Sequence, residues 1–312
     1  MKLFIQIPCL NEEATLPQTI ADLPKRIDGI DEIEIMVVDD GSTDRTVEVA
    51  RENGVRHVVS HGTNRGLAAA FSSGRDYALA HGADILVNTD ADNQYCGADI
   101  AKLVVPILEN RAEIVVGCRP ILEHKEFSPV KKALQLCGSW ALRRISKTTV
   151  RDAPSGFRAF SRDALQRIFL HSRFSYCMET LIQAGTTGLR VASVDIRVNP
   201  KTRDSRLFKS IPQYLRKTGG TMLHMFVLYR PGTFFSLLSA PFLLFAAALG
   251  MRFLVLTYAF PDPARTHVPS LVLLSISAFA GFLCLLLAVL GSLLAANRRL
   301  SEETVYLMRA GR

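Results

Sequence analysis

Two kinds of hydrophobic pattern divide the chain. Up to about Leu228, short apolar stretches alternate with polar, turn-rich ones, as in a water-soluble domain, and beyond it lie two long apolar runs. In the first half, apolar and β-branched stretches predict strands at Leu3–Pro8, Ile33–Asp39, Val55–Ser60, Asp84–Thr89 and Glu113–Gly117. Between them, Ala14–Leu23, Thr43–Asn53, Leu67–His81 and Ala98–Glu109 predict helices, two of them closed by Asn53-Gly54 and His81-Gly82. This alternation predicts an α/β domain with a mostly parallel sheet covered by helices. The second half is less regular, with predicted helices at Val130–Ser146, Arg162–Phe169 and Met178–Gly188 and a strand at Leu189–Val198.

The apolar runs are Phe234–Phe260, interrupted only by Arg252, and Val268–Ala296, which carries no charge. At about 1.5 Å per helical residue, each covers a hydrocarbon core of about 30 Å. The segment Pro261–His267 between them is short, polar and proline-containing, so the pair predicts a membrane hairpin. Four parts are expected: a soluble domain over 1–204, a basic amphipathic juxtamembrane segment over 205–230, the hairpin over 231–297 and a basic tail over 298–312. Lys201, Arg203, Arg206, Lys209, Arg216, Lys217 and Arg230 precede the hairpin, and Arg298, Arg299, Arg309 and Arg312 follow it, against Arg265 alone in the loop. That bias predicts a multi-pass protein of the inner, cytoplasmic membrane with the soluble domain and both termini in the cytoplasm. The Met1–Pro8 stretch is too short for a signal peptide.

Charge refines the choice of partner. The net charge of +8 is concentrated beside the apolar runs, which fits an anionic bilayer surface. No motif interleaves arginine with aromatics, so nucleic acid is not an expected partner. The six cysteines are scattered singly, without metal-ligand spacing, as expected of reduced thiols.

Candidate chemistry collects where strands end, the usual ligand position in an open α/β sheet. Asn11 and Glu12 follow the first strand, Asp39 and Asp40 end the second, and Arg65 follows the third at a helix N-terminus suited to anions. The fourth ends in Asp90-Ala91-Asp92-Asn93-Gln94 and the fifth in Gly117-Cys118-Arg119. If the backbone stays extended, Asp90, Asp92 and Gln94 share one side and present oxygen ligands suited to Mg²⁺. Neither G-x-G-x-x-G after the first strand nor a P-loop is present, which disfavours dinucleotide and P-loop folds. Together the strand ends describe a site for a metal–diphosphate carrying a nucleoside.

The segments I-P-C-L-N-E-E, V-V-D-D-G-S-T-D-R-T, N-R-G-L-A-A-A-F, N-T-D-A-D-N-Q-Y, V-V-G-C-R and Asp152-Ala153-Pro154-Ser155-Gly156-Phe157-Arg158 resemble, in this order, family 2 glycosyltransferases of the GT-A fold. More narrowly, they resemble the polyprenyl-phosphate (dolichol-phosphate type) sugar synthases, over roughly residues 3–206. The resemblance implies that Pro8, Asn11, Glu12, Asp39, Asp40, Arg65, Asp90 and Ala91 face the nucleotide-diphospho-sugar donor. It implies Asp90, Asp92 and Gln94 as ligands of Mg²⁺ or Mn²⁺, and Asp92, Arg119 and Asp152 as catalytic. Ser155, Arg158, Arg203, Ser205 and Arg206 would bind the phosphate of a polyprenyl phosphate acceptor. Asp152 would help to orient that acceptor or serve as a cap or partner of Arg151, and Glu179 is a weaker candidate for that orienting role, expected as a solvated helix charge. Relatives often carry Leu-Gln-His-Pro where this chain has Asn93-Gln94-Tyr95-Cys96, and the late motif R-x-G-x-S-K reads Arg203-Asp204-Ser205-Arg206. Inversion at the anomeric carbon and a homo-oligomer, tetramer or dimer, are further expectations by analogy.

A processive polysaccharide synthase would carry Q-x-x-R-W, but Gln213-Tyr214-Leu215-Arg216 is followed by Lys217. A non-catalytic nucleotide-binding scaffold has no need of Asp90 and Asp92, and a nucleotidyltransferase leaves the hairpin unexplained.

Overall fold

The computed structural model describes residues 1–120, 138–140, 142–144, 146, 148–171, 176–200, 211–260 and 268–311, with the side chains of the same residues other than 211–218. The elements run β1 (Lys2–Cys9), α1 (Leu16–Ala21), β2 (Glu32–Asp39), α2 (Thr46–Glu52), β3 (His57–Ser60), α3 (Leu67–Ala80), β4 (Ile85–Asn88), α4 (Ile100–Leu108) and β5 (Ile114–Cys118). There follow β6 (Arg158–Ser161), α5 (Arg162–Arg167), α6 (Tyr176–Thr187), β7 (Val191–Asp195), α7 (Ile211–Tyr229), α8 (Pro231–Tyr258) and α9 (Val268–Arg309).

All five strands expected in the first half form, and they join one seven-stranded sheet of order β3-β2-β1-β4-β6-β5-β7. Every pairing is parallel except those of β6, which is antiparallel to β4 and to β5. Strand β6 was not expected: four residues beginning with arginine give no hydrophobic signal, yet Arg158, Ala159 and Phe160 are fully buried. Its insertion separates β4 from β5 and carries Asp152–Phe157 between their ends. That displacement builds the site.

The core follows from the β1 pattern. Leu3, Phe4, Ile5 and Ile7 are fully inaccessible, and each contributes about 2 kcal/mol by leaving water. Helix α3 lies close over β1 because Gly74 lacks a side chain: a Cβ there would sit 2.5 Å from Gln6 Oε1 and 2.8 Å from Val38 Cγ2.

Several boundaries differ from expectation. Helix α2 starts at Thr46, not Thr43, because the turn before it is tied up elsewhere: the Asp44 carboxylate accepts the Thr46 N–H at 3.0 Å, and Ser42 Oγ accepts the Asn11 N–H. Strand β7 is only Val191–Asp195, with Val198 forming an isolated bridge to Tyr95. Of the predicted helix Val130–Ser146, residues 138–140, 142–144 and 146 are helical and the others lie outside the described residues.

Two compact units divide the chain, residues 1–219 with 306–312, and residues 220–305. Helices α8 and α9 are long and apolar enough to cross a membrane, and only 17% of the apolar window of each is buried. Leu244 and Leu294 are 71% and 70% exposed, which no soluble core helix would show. Small residues let the two helices approach: a Cβ on Gly281 would lie 2.6 Å from Leu243 Cδ2, and one on Gly291 2.7 Å from Pro231 Cβ. The loop 261–267, with Arg265, lies outside the described residues. The expected boundary at 297 falls inside α9, which continues unbroken to Arg309. The end of this helix belongs to the first unit, where Tyr306 donates to Asp163 Oδ1 at 3.1 Å and Arg309 lies 4.8 Å from the Phe169 ring centroid.

Candidate active site

The loops after β1 and β2 are zipped together. Asn11, at φ 56°, accepts the Thr43 N–H at 2.8 Å through Oδ1, and its own N–H donates to Ser42 Oγ at 2.9 Å. Glu12 is buried, its N–H donating to Thr46 Oγ1 at 2.8 Å and Oε2 accepting from Thr15 at 2.9 Å. Pro8 pairs with Val38 at the mouth of the sheet. Asp39 ends β2, with Oδ1 accepting the Ser42 N–H at 2.9 Å.

Asp40 is engaged by the 61–66 loop. Its Oδ1 and Oδ2 accept the N–H groups of Arg65 (2.9 Å) and Gly66 (2.8 Å), and His61 Nδ1 lies 2.8 Å from Oδ1. The buried carboxylate thus holds the 61–66 loop that leads into α3. Gly41 presses against the same loop: it has φ +81°, and a Cβ would stand 2.7 Å from the Thr63 carbonyl carbon. Arg65 remains exposed on the loop that Asp40 holds.

The acidic segment does not stay extended. Strand β4 stops at Asn88, residues 91–92 turn, and Asn93 takes a left-handed φ of 53°. Alternation therefore does not place Asp90, Asp92 and Gln94 on one side, and a pinned turn sets their places instead. Ala91 O accepts from Thr19 Oγ1 (2.9 Å), Asn93 Nδ2 donates to Asp22 Oδ2 (2.6 Å), and Asn199 N–H donates to Gln94 O (2.9 Å). Asp92 Oδ1 accepts the Gln94 N–H at 3.2 Å. Among the described residues no group of three or more His, Cys, Asp or Glu is arranged to hold a metal. Two carboxylates of hard oxygen donors nevertheless fit Mg²⁺ or Mn²⁺, which take one or two protein carboxylates and complete their shell with substrate phosphate and water.

Opposite this turn, Arg119 grips the fully buried Asp152: Nε donates to Oδ2 at 2.7 Å and Nη2 to Oδ1 at 3.0 Å. Burial works against the Arg119 charge, but the Asp152 and Asp90 carboxylates around it outweigh burial and raise its pKa. Burial, helped by Asp90 and Asp152 against the opposing pull of Arg119, pushes the Tyr95 phenol above its ordinary range.

Arg158 is a correction. It is fully buried, and its guanidinium donates to the carbonyl oxygens of Ser155 (2.8 Å), Cys177 (2.7 Å) and Ala153 (2.5 Å) and to Thr180 Oγ1 (2.7 Å). It braces the Asp152–Phe157 segment through these bonds, where the resemblance implied a phosphate ligand. Ser155 is likewise fully buried within that brace. Glu179 is not solvated: it is buried, with Oε1 accepting the His171 N–H at 2.9 Å. Arg203, Ser205 and Arg206 lie outside the described residues.

Three residues of the site were given no role by the sequence: Asn88 and Tyr95, which only bounded the N-T-D-A-D-N-Q-Y segment, and Tyr176. Asn88 Nδ2 donates to Gly156 O (3.1 Å) and to Tyr176 OH (2.7 Å). The polar Asn88 closing an otherwise apolar strand was the one available hint.

A mostly parallel sheet whose mouth carries two acidic residues, a buried arginine–aspartate pair and a braced S-G-F-R segment has the GT-A fold. Residues 4–169 match the family Glycosyl transferase family 2, and the chain belongs to it. It is similar to a UDP-N-acetylglucosamine–dolichyl-phosphate N-acetylglucosaminyltransferase of Methanococcus voltae, 32% identical over 62% of this chain and 84% of the relative. An undecaprenyl-phosphate mannosyltransferase of Micrococcus luteus is 28% identical over 63% of this chain and 83% of its own. Among solved structures, glucosyl-3-phosphoglycerate synthase from Mycobacterium tuberculosis, crystallised with Mn²⁺, UDP and glucosyl-3-phosphoglycerate, shares the fold with a TM-score of 0.56, at 22% identity over 72% of this chain and 78% of that one.

Proposed function

We propose that the protein transfers a sugar, with inversion, from a nucleotide-diphospho-sugar to a polyprenyl phosphate at the cytoplasmic face of the inner membrane. The observation that carries this reading is one chain combining the Asp90–Asp92 turn at the sheet mouth with two helices long enough to cross a bilayer. The names of the Methanococcus and Micrococcus relatives support a lipid-phosphate acceptor.

Asp90 and Asp92 would hold Mg²⁺ or Mn²⁺, with Gln94 beside them. When bound, the cation supplies Lewis-acid stabilisation of the departing nucleotide diphosphate. Pro8, Asn11 and Asp39 border the place for the nucleoside, and Arg65 offers positive charge at the α3 N-terminus. Arg119, kept charged by its surroundings, meets charge that develops between donor and acceptor. A phosphate monoester carries about 1.5 to 2 negative charges near neutral pH and attacks without prior deprotonation. Asp152 is therefore not required as a base, in keeping with its engagement by Arg119. Positioning and charge complementarity carry the reaction.

Membranes containing the full chain, incubated with labelled nucleotide sugars and undecaprenyl or dolichyl phosphate, test this. Organic-phase label that disappears with EDTA, and falls about 10²–10³-fold in Asp92→Ala as for loss of one transition-state stabiliser, is the expected result. No lipid-linked product from any donor would overturn it.

A further inference from the structure

The peptide group of Gly156 is held on both sides by buried phenols. Its N–H donates to Tyr95 OH at 3.3 Å, and its carbonyl oxygen accepts from Tyr176 OH at 2.8 Å. Asn88 Nδ2 closes the triangle by donating to that carbonyl and to Tyr176 OH. Neither ring is free to swing: Tyr95 stacks on Phe157 at 4.9 Å and 8°, and Tyr176 on Phe71 at 4.4 Å and 7°. Both are almost inaccessible, 4% and 0% exposed.

What rests on this peptide is Asp90. A Cβ built on Gly156 would stand 3.1 Å from Asp90 Oδ1, 3.3 Å from Tyr176 OH and 3.5 Å from Asp90 Oδ2. Glycine at 156 thus lies close under the carboxylate, and a side chain there would require Asp90 or the Tyr176 hydroxyl to give by a few tenths of an ångström.

The connections also run along the chain. Tyr95 follows the acidic turn by one residue after Gln94, and it bridges to Val198 beyond β7. Asn88 precedes Asp90 by two, and its Oδ1 is buried with no partner, a state that costs about 1–3 kcal/mol. A polar group kept at that cost beside the mouth of the sheet argues for a role other than packing. Burial raises both phenols well above their ordinary pKa, so they stay protonated at every working pH and Tyr176 remains a donor.

We infer that Tyr95 and Tyr176 are positioning residues: by pinning the Gly156 peptide between them, they fix the Asp90 carboxylate for the metal–diphosphate. The inference rests on Asp90 belonging to that clamp, and it does not depend on which acceptor takes the sugar. Partners outside the immediate ligands of a metal typically change affinity or activity about 10–100-fold when lost.

The test uses the full-length protein in detergent micelles, with Mn²⁺ titrated in the presence of UDP and read by electron paramagnetic resonance. Tyr95→Phe and Tyr176→Phe keep the ring stacks and remove only the hydroxyls. Each is expected to weaken Mn²⁺ binding about tenfold, and Gly156→Ala to do the same by crowding Asp90. Tyr77→Phe, whose hydroxyl instead meets His57 Nδ1 at 3.0 Å, serves as control and is expected to leave Mn²⁺ binding unchanged. Melting temperature separates folding from positioning: variants that melt lower but bind Mn²⁺ as the parent does would overturn the inference, as would a parent protein that binds no Mn²⁺. Weaker Mn²⁺ binding in a protein that makes no lipid-linked sugar would uphold the positioning role and sink the proposed reaction instead.

Discussion

Arg119 and Asp152 form a bidentate ion pair, with the Arg119 backbone N–H adding a third bond to Asp152 Oδ2 at 3.3 Å. The side chains are only 14% and 1% exposed, so the pair is shielded from the screening that makes surface pairs weak.

Removing one partner of such a pair leaves a buried charge uncompensated. Asp152→Ala is expected to destabilise the protein by about 3 kcal/mol, whereas Asp152→Asn keeps part of the hydrogen bonding and loses less. Urea unfolding followed by circular dichroism gives both values, and an equal loss in the two variants would contradict the charge argument.

Arg158 separates a structural from a phosphate-binding role. Four donor contacts to buried acceptors mean that Arg158→Met should lower stability by more than about 3 kcal/mol, before any change in substrate affinity. A variant of unchanged melting temperature but raised KM would instead put Arg158 at a ligand.

Asp99 makes stability depend on pH. Burial opposes its ionisation, but hydrogen bonds from the Arg197 side chain and backbone and from Lys102 prevail and lower its pKa. A depressed folded-state pKa means the contribution is complete above the unfolded value of about 3.9 and is lost as pH falls through the folded value. Asp99→Asn should therefore unfold more easily than the parent at pH 7, and the two curves should converge in strong acid. Parallel curves over the whole range would contradict the sign.

The end of α9 holds the catalytic unit by named contacts. Arg167 lies 4.5 Å from the Tyr306 ring centroid and donates to Tyr306 OH at 3.2 Å, and Arg309 donates to Asp76 Oδ1 at 3.3 Å. Tyr306→Ala combined with Arg309→Ala should lower the stability of this unit by about 1–2 kcal/mol. Hydrogen exchange is expected to rise in α5 in that variant, and unchanged exchange there would show that the tail merely rests on it.

Much of this molecule is written in its local pattern. The five strands of the first half, the helices between them and the two long apolar helices follow from hydrophobic period and length, which depend on nothing beyond neighbouring residues. Acids at strand ends are likewise visible, because a polar residue closing a buried strand breaks the pattern. The chain alone therefore determined the sheet, the candidate spans and the position of Asp90 and Asp92 at the mouth. It did not determine partners across the sheet. Strand β6 owes its place to pairing with β4 and β5, a long-range contact that four residues cannot encode in their own sequence. Its insertion sends Arg158 inward, delivers Asp152 to Arg119 and lays Gly156 beneath Asp90. Likewise, the turn at 91–93 is held by Thr19 and Asp22 from α1 and its C-terminal cap and by Asn199 from beyond β7, all distant in sequence from the turn. Whether a polar side chain at a strand end meets a ligand or another part of the protein is decided by burial and by which donors and acceptors it finds there. Only the folded structure supplies those.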